Sequence, residues 1–347
     1  MKYLIFADLH LTGKDTSFVS TNHTYPYKTF TKMSILDSIL TSYSNWPKED
    51  KNVIIAGDVY HEKNIVYGTA LTLFESFLNK FTDWNFIIIN GNHDVCDQTE
   101  NPITLLTGLD EKFEHVTLVD YNQSKVIGQN NNILLIGWHR NMSQMIKEAV
   151  EMNPDVDTLI SHFGVNEASL STGIYGVSKI KFSQLRSKFN LIILGHYHKP
   201  QELKSNDKML YYVGSLIQEN WNEVNEDKRY LILDDNTMEV SSILVEGYDK
   251  YILMESDDLV EIKKQMESIE NLKRFKVKTN SPEIHEYCLQ NKILCFYKNK
   301  LEENQVEVKT IDNEDIYEGY LLEKKPNLTK EEIKKYMEIK KMIVDDT

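Results

Sequence analysis

The chain has 347 residues, 41% of them apolar, and a formal net charge of −14 at pH 7. That length suits two or three domains with a full core. No run of about 18 apolar residues occurs, so no membrane-spanning helix is expected, and the acidic balance argues against a general nucleic-acid coat protein.

The opening MKYLIFADLHL lacks a charged n-region, a long apolar stretch and a small-residue cleavage site. It reads as a first strand, not a signal peptide. Residues 2–7 (KYLIFA), 52–56 (NVIIA), 84–90 (WNFIIIN), 157–161 (DTLIS) and 190–194 (NLIIL) are short apolar runs of the buried-strand type. Each runs into a turn rich in Asp, Asn or His. In order these are Asp8-Leu9-His10, Gly57-Asp58, Gly91-Asn92-His93-Asp94, His162, and Gly195-His196-Tyr197-His198. Residues 33–43 and 68–81 carry helical patterns between strands, which predicts βαβ units and a largely parallel sheet. Ligands bind outside the carboxyl ends of such strands. All five turns are therefore expected at the mouth of one sheet.

Residues 209–214, 229–233 and 239–246 look antiparallel, and a second sheet is expected from them, packed on the first. From about 248 the order becomes β-α-β-α-β, with strands over 250–255, 274–279 and 292–297 and helices over 259–269 and 282–290. Ser281-Pro282 supplies the start of the second helix. Near the end, Thr329 and Glu332 make a capping box, and Leu328 and Ile333 hold the staple positions. Ile333, Tyr336, Met337, Lys340 and Val344 fall on one stripe. The expected division is a core over 1–247, a small α+β domain over 248–308 and C-terminal helices over 309–347. Cys96, Cys288 and Cys295 lack zinc or redox spacing and are expected free, as in a reducing cytosol.

The five turns hold what phosphodiester hydrolysis needs. Two divalent ions ~3.5–4 Å apart can share a hydroxide and clamp a phosphate. Asp58, a lone Asp after a Gly turn, is the expected bridge. Asp8, His10 and His198 would complete one site, and Asn92, His162 and His196 the other. His196 and His198 flank Tyr197, so an extended segment points both imidazoles to one side. An imidazole-rich set favours manganese, iron or zinc over magnesium, with manganese expected to support activity best. His93 sits beside a ligand and is free to protonate the leaving oxygen. Asp94 is expected to orient it and raise its pKa. His23, His115, His139 and His285 are expected to be surface or structural.

As they stand, DLH, GD, GNHD, H and GHYH resemble the motifs of calcineurin-like metallophosphoesterases. Gly57-Asp58-Val59-Tyr60-His61 and Tyr212-Val213-Gly214-Ser215, the latter shortly followed by QENWNE, resemble the SbcD-type double-strand-break repair nucleases, phage recombination subunits included. The resemblance implies an α/β fold. Its core has four layers, α-β-β-α, with two packed sheets, a small capping domain and C-terminal helices. It makes His93 the catalytic histidine and places His61 beside the ligands, helping to present its strand to the metals. The implied activity is a manganese-dependent 3′-to-5′ exonuclease on duplex DNA ends, with endonuclease action on single strands, in repair, recombination and replication. The implied setting is the cytoplasm of a bacterium or a phage-infected host. Implied partners are DNA, a second copy of the chain, and an SbcC-type coiled-coil ABC ATPase bound through the C-terminal helices. Lys14, Lys28, Lys32, Lys63 and Lys199 are the expected DNA contacts.

Two other classes compete. A phosphomonoesterase or protein phosphatase would follow GD with a stretch ending Asp-Arg-Gly; here it is Val59-Tyr60-His61-Glu62-Lys63. A non-catalytic adaptor would be expected to have lost ligands, and none is missing.

Overall fold

The computed structural model describes residues 1–14, 27–96, 99, 102–224, 226–267, 275–291 and 293–297. The first part of the chain runs β1 (Lys2–Phe6), α1 (Tyr27–Ser42), β2 (Asn52–Ala56), α2 (Gly68–Lys80), β3 (Asn85–Ile89), α3 (Leu109–Lys112) and β4 (Val116–Val119). It continues through β5 (Ser124–Ile127), β6 (Ile133–Ile136), α4 (Met142–Met152), β7 (Thr158–His162), α5 (Phe182–Leu185) and β8 (Leu191–Gly195). Then come β9 (Gln201–Ser205), β10 (Lys208–Tyr212), β11 (Arg229–Asp234) and β12 (Glu239–Leu244).

These strands form two six-stranded sheets, in the orders β12-β11-β1-β2-β3-β4 and β5-β6-β7-β8-β10-β9. Side-chain alternation explains how they stack. Leu4 and Phe6 of β1 turn outward into a cluster with Leu36 and Leu40 of α1 and Phe74 and Leu78 of α2. Tyr3 and Ile5 turn the other way and meet Ile133, Leu135, Ile160 and Ile193 of the second sheet. Leu134, Leu159 and Ile192 cover the far face, under Met142, Met145 and Ala149 of α4. The result is the expected four layers. Both faces of the central strands are buried, so their sequences are continuous apolar runs rather than alternating ones.

Two expectations about the sheets are corrected. The five turns do not share one sheet: β1, β2 and β3 belong to the first, β7 and β8 to the second. Of the antiparallel-looking late strands only β10 joins the second sheet, where it runs antiparallel to β9. β11 and β12 return to the first sheet, antiparallel to β1 and to each other, and β10 lies parallel to β8. The reason is physical. Strand pairing is decided by which buried faces meet, and a short apolar run carries no label for its partner.

Helix α1 also starts earlier than the apolar pattern predicts. Lys28 and Lys32 look like solvent-facing residues, yet both are buried and paired with Glu219.

Beyond the core lie β13 (Ile252–Glu255), α6 (Leu259–Glu267), β14 (Phe275–Thr279), α7 (Pro282–Gln290) and β15 (Leu294–Tyr297). The strands make a parallel sheet in sequence order. Its own core contains Ile262, Phe275, Val277, Ile284 and Cys288. Ser281 caps α7, accepting from Ile284 N–H at 3.4 Å, with Pro282 in the first turn. No disulfide joins Cys96, Cys288 or Cys295. Among the described residues no helix is long and apolar enough to cross a membrane. The expected C-terminal helices over 309–347, and His23, lie outside the described residues.

Candidate active site

The carboxyl ends of β1, β2, β3, β7 and β8 converge from both sheets on one cleft. The backbone there is unusual. Asp8 (φ 51°), His10 (φ 43°), Asp58 (φ 54°) and His196 (φ 93°) all adopt the left-handed region. Each such residue costs on the order of 1–3 kcal/mol and persists only where its surroundings hold it. Here they do. Asp8 N–H donates to Gly57 O at 3.0 Å and His10 N–H to Asp58 O at 2.9 Å. His196 N–H donates to Asp8 Oδ1 at 3.0 Å, crossing from one sheet to the other.

Two glycines make room for this approach. A Cβ on Gly57, whose φ is +89°, would stand 2.1 Å from His162 Nδ1. A Cβ on Gly91 would stand 2.1 Å from Asp58 Oδ1.

The side chains fall into two groups that share Asp58. In the first, His10 Nε2 stands 2.9 Å from His198 Nε2 and 3.5 Å from Asp58 Oδ2, with Asp8 beside them. In the second, His162 Nε2 stands 3.3 Å from Asp58 Oδ2 and 3.2 Å from Asn92 Oδ1, which is itself 2.9 Å from His196 Nδ1. Two ligands at right angles, each about 2.1 Å from one ion, stand about 3 Å apart. These spacings therefore fit a divalent cation in either group. The chemistry fits as well. His162 Nδ1 donates to Ala56 O at 2.8 Å, so the neutral ring presents the lone pair of Nε2 to two oxygen acceptors. Only a proton or a metal between them relieves that opposition.

The electrostatics report the same crowding. Burial pushes Asp8 up to about 6, with Asp58 adding to the rise and His162 and His198 opposing it. Burial also acts against ionised Asp58, but His162, His10 and His93 outweigh it and hold the group well below the carboxylate range. For His162, burial lowers the pKa and the Asp58 charge more than reverses this, to about 9. Burial and the His162 charge push His196 down to about 3. A proton on His162 neutralises carboxylate charge that a cation would otherwise neutralise.

His93 and Asp94 are arranged differently from the sequence expectation. His93 Nδ1 donates to His61 O at 2.6 Å, and its backbone N–H donates to Asp58 Oδ1 at 2.8 Å. The buried Asp94 carboxylate instead accepts from Gly91 N–H (2.8 Å), Tyr60 N–H (3.1 Å) and Val59 N–H (3.3 Å). Asp94 thus ties the second and third turns together, and a backbone carbonyl, not Asp94, orients His93. His61 does lie beside the metal-ligand candidates: its Nδ1 is 3.4 Å from His10 Nδ1.

Sequence reasoning missed Glu223. It lies in a 3-10 turn, Trp221–Glu223, is 1% exposed, and its Oε1 accepts from His198 Nδ1 at 3.0 Å. Burial works against its charge, but His198 and Lys228 hold it down to about 2. Nothing in the local pattern of QENWNE announces this contact, which spans 25 residues of chain.

The expected DNA-contacting lysines also divide. Lys32 Nζ is fully buried against Glu219 Oε1 and His10 O, and Lys28 Nζ bonds Glu219 O, so both are spent inside the protein. Lys199 Nζ reaches Ser169 Oγ at 3.4 Å. Lys14 stays exposed over the Tyr67 ring, and Lys63 is exposed. Of the remaining histidines, His115 bonds Leu78 O, His139 packs on Tyr121 and His285 stacks on Tyr297, all structural contacts.

Two stacked mixed sheets between helical layers, with Asp, Asn and His converging at the strands' carboxyl ends, define the metallophosphoesterase class. The family model for calcineurin-like phosphoesterases matches residues 1–200, and the chain belongs to that family. Among curated proteins, it is 23% identical over 321 residues to the SbcD subunit of nuclease SbcCD from Staphylococcus saprophyticus, covering 77% of this chain and 81% of that one. It is 24% identical over 224 residues to the protein of the same name from Staphylococcus epidermidis, covering 56% and 59%. The fold is also similar to an archaeal phosphodiesterase of known structure, at 13% identity and a TM-score of 0.36, over 70% of this chain and 99% of that one.

Proposed function

We propose that this phosphoesterase is the nuclease subunit of an SbcCD-type complex, acting on DNA phosphodiesters with two divalent ions, manganese foremost. The observation that carries it is the pair of donor groups sharing Asp58, with His93 at their edge. The curated relatives, each named as the SbcD subunit of nuclease SbcCD, support the DNA substrate over a phosphoprotein.

In this mechanism Asp8, His10 and His198 would hold one ion and Asn92, His162 and His196 the other, with Asp58, which faces both groups, serving either. The ions, when bound, supply Lewis acidity toward the phosphate and lower the pKa of the attacking water. The remaining work falls to the chain. His61 O anchors His93 Nδ1, so Nε2 is the nitrogen left to meet the leaving oxygen, and from the doubly protonated ring it gives that oxygen a proton while Nδ1–H stays on the carbonyl. Asp94 fixes the turn that carries both Asn92 and His93. Exposed Lys14 and Lys63 supply phosphate contacts at the cleft edge. The domain over 248–308 caps the DNA. The segment over 309–347 binds the ATPase partner, and the core pairs with a second copy.

The test is the purified chain with manganese and end-labelled linear duplex DNA, beside His93→Ala and a phosphopeptide control. Wild type degrades the DNA, and His93→Ala keeps both ions by elemental analysis yet loses most activity. Phosphopeptide hydrolysis with intact DNA would move the chain to the phosphatase branch. Loss of metal in His93→Ala would refute the role given to His93.

A further inference from the structure

We propose that Glu223 is a positioning residue that sets the tautomer of His198 and thereby builds one of the two ion sites. The inference rests on the two-ion site proposed above.

The geometry points one way. Glu223 Oε1 accepts from His198 Nδ1 and from Asn220 Nδ2, both at 3.0 Å. Its Oε2 receives Lys228 Nζ at 2.7 Å, Glu219 N–H at 3.0 Å and Ser215 Oγ–H at 3.2 Å. A carboxylate with this set of donors can accept from His198 but has nothing to donate to it. The Nδ1 of His198 must carry the proton, which leaves Nε2 with the lone pair. That Nε2 is the atom facing His10 Nε2 at 2.9 Å. Histidine ligands generally depend on such a partner on the other ring nitrogen, which fixes both tautomer and ring orientation.

Glu223 is itself held from several sides. Lys228, fully buried, bonds the carboxylate and also donates to His198 O at 2.8 Å. Ser215 N–H donates to the same carbonyl at 3.2 Å. On the same turn, Trp221 packs against Tyr251 with ring centroids 4.8 Å apart, and Lys276 Nζ stands 4.3 Å from its ring. The turn is therefore pinned by the core on one side and by the small domain on the other. In the other half of the site, His162 Nδ1 leans on a backbone carbonyl, Ala56 O, instead of a carboxylate.

The experiment uses the full chain and two readouts that do not require turnover. Long-range ¹H–¹⁵N NMR of the metal-free wild type reads the tautomer of His198, assigned with His198→Gln. With the ring neutral, protonation at Nδ1 is expected, and a proton on Nε2 with Nδ1 bare overturns the proposal without any Glu223 variant having to fold. Calorimetric titration with manganese then compares wild type with Glu223→Gln. One of two sites should weaken about 10- to 100-fold in Glu223→Gln while the other is unchanged. Equal weakening of both sites with loss of cooperative unfolding would make Glu223 merely structural. Two unchanged sites would overturn its role toward His198. A wild type that binds no ion would overturn this inference and the two-ion mechanism together, whereas two ions in wild type with an indifferent variant sink this inference alone.

Discussion

Replacing Asp94 with Asn separates two roles for that residue. In the sequence, Asp94 follows His93 and looks like its acid partner. In the structure its carboxylate holds three backbone N–H groups, from Gly91, Tyr60 and Val59. Asp94→Ala would leave all three without an acceptor, at about 1–3 kcal/mol each. That sum approaches the whole stability of a domain, roughly 5–15 kcal/mol, so Ala would report only unfolding. Asn is the informative change. Its carbonyl can still serve Gly91 and Val59, but its NH₂ then confronts Tyr60 N–H, and bonds to a charged acceptor become bonds to a neutral one. Burial and the Asp58 charge push Asp94 up to about 7, so part of its charge is already absent near neutrality. The expected loss is about 2–4 kcal/mol, which lowers Tm by roughly 4–16 °C in a domain of this size. Tm in the presence of a chelator, with amide exchange at Val59, Tyr60 and Gly91, checks it. Unchanged Tm and exchange, together with lost activity and a shifted acid limb of the pH–rate profile, would refute the structural role and restore Asp94 as the partner of His93.

Gly57→Ala should destabilise by about 2–5 kcal/mol, combining a left-handed alanine, ~1–2 kcal/mol, with overpacking against His162 of ~1–3 kcal/mol. Calorimetry with manganese should show the loss on the His162 side first, and two intact sites would count against that placement. With chelator present, the chain should also lose stability between pH 6.5 and 9. Folded His162 holds its proton to about 9 against an ordinary 6.5, so its contribution is full below 6.5 and gone above 9. At about 1.4 kcal/mol per pKa unit that is roughly 3 kcal/mol. More acid pH is a poorer window, because Asp8 is raised and His196 lowered, and their contributions oppose. Urea midpoints across pH 6.5–9 test it: the fall should shrink in His162→Gln to the part owed to His198, which burial lowers but its Glu223 hydrogen bond raises further, and a flat wild-type profile would sink it.

The sequence by itself determined the strands, the turns and the donor types. Buried strands of an α/β core must be apolar on both faces, so 52–56 and 190–194 could not be hidden, and Asp, Asn and His stand out where such runs stop. The small domain was legible from strands of alternating pattern, such as Phe275–Thr279, between amphipathic helices, down to Ser281-Pro282 at the start of α7. What local pattern cannot carry is which strands pair and which distant groups meet. The tertiary structure alone decided that the five turns come from two sheets, that β11 and β12 close the first sheet, and that Lys28 and Lys32 are buried beside Glu219. It also decided that Asp94 binds backbone and that Glu223 stands behind His198. Each of these depends on contacts between residues far apart in sequence, where the energy of burying a charge is set by a partner that no neighbouring residue predicts.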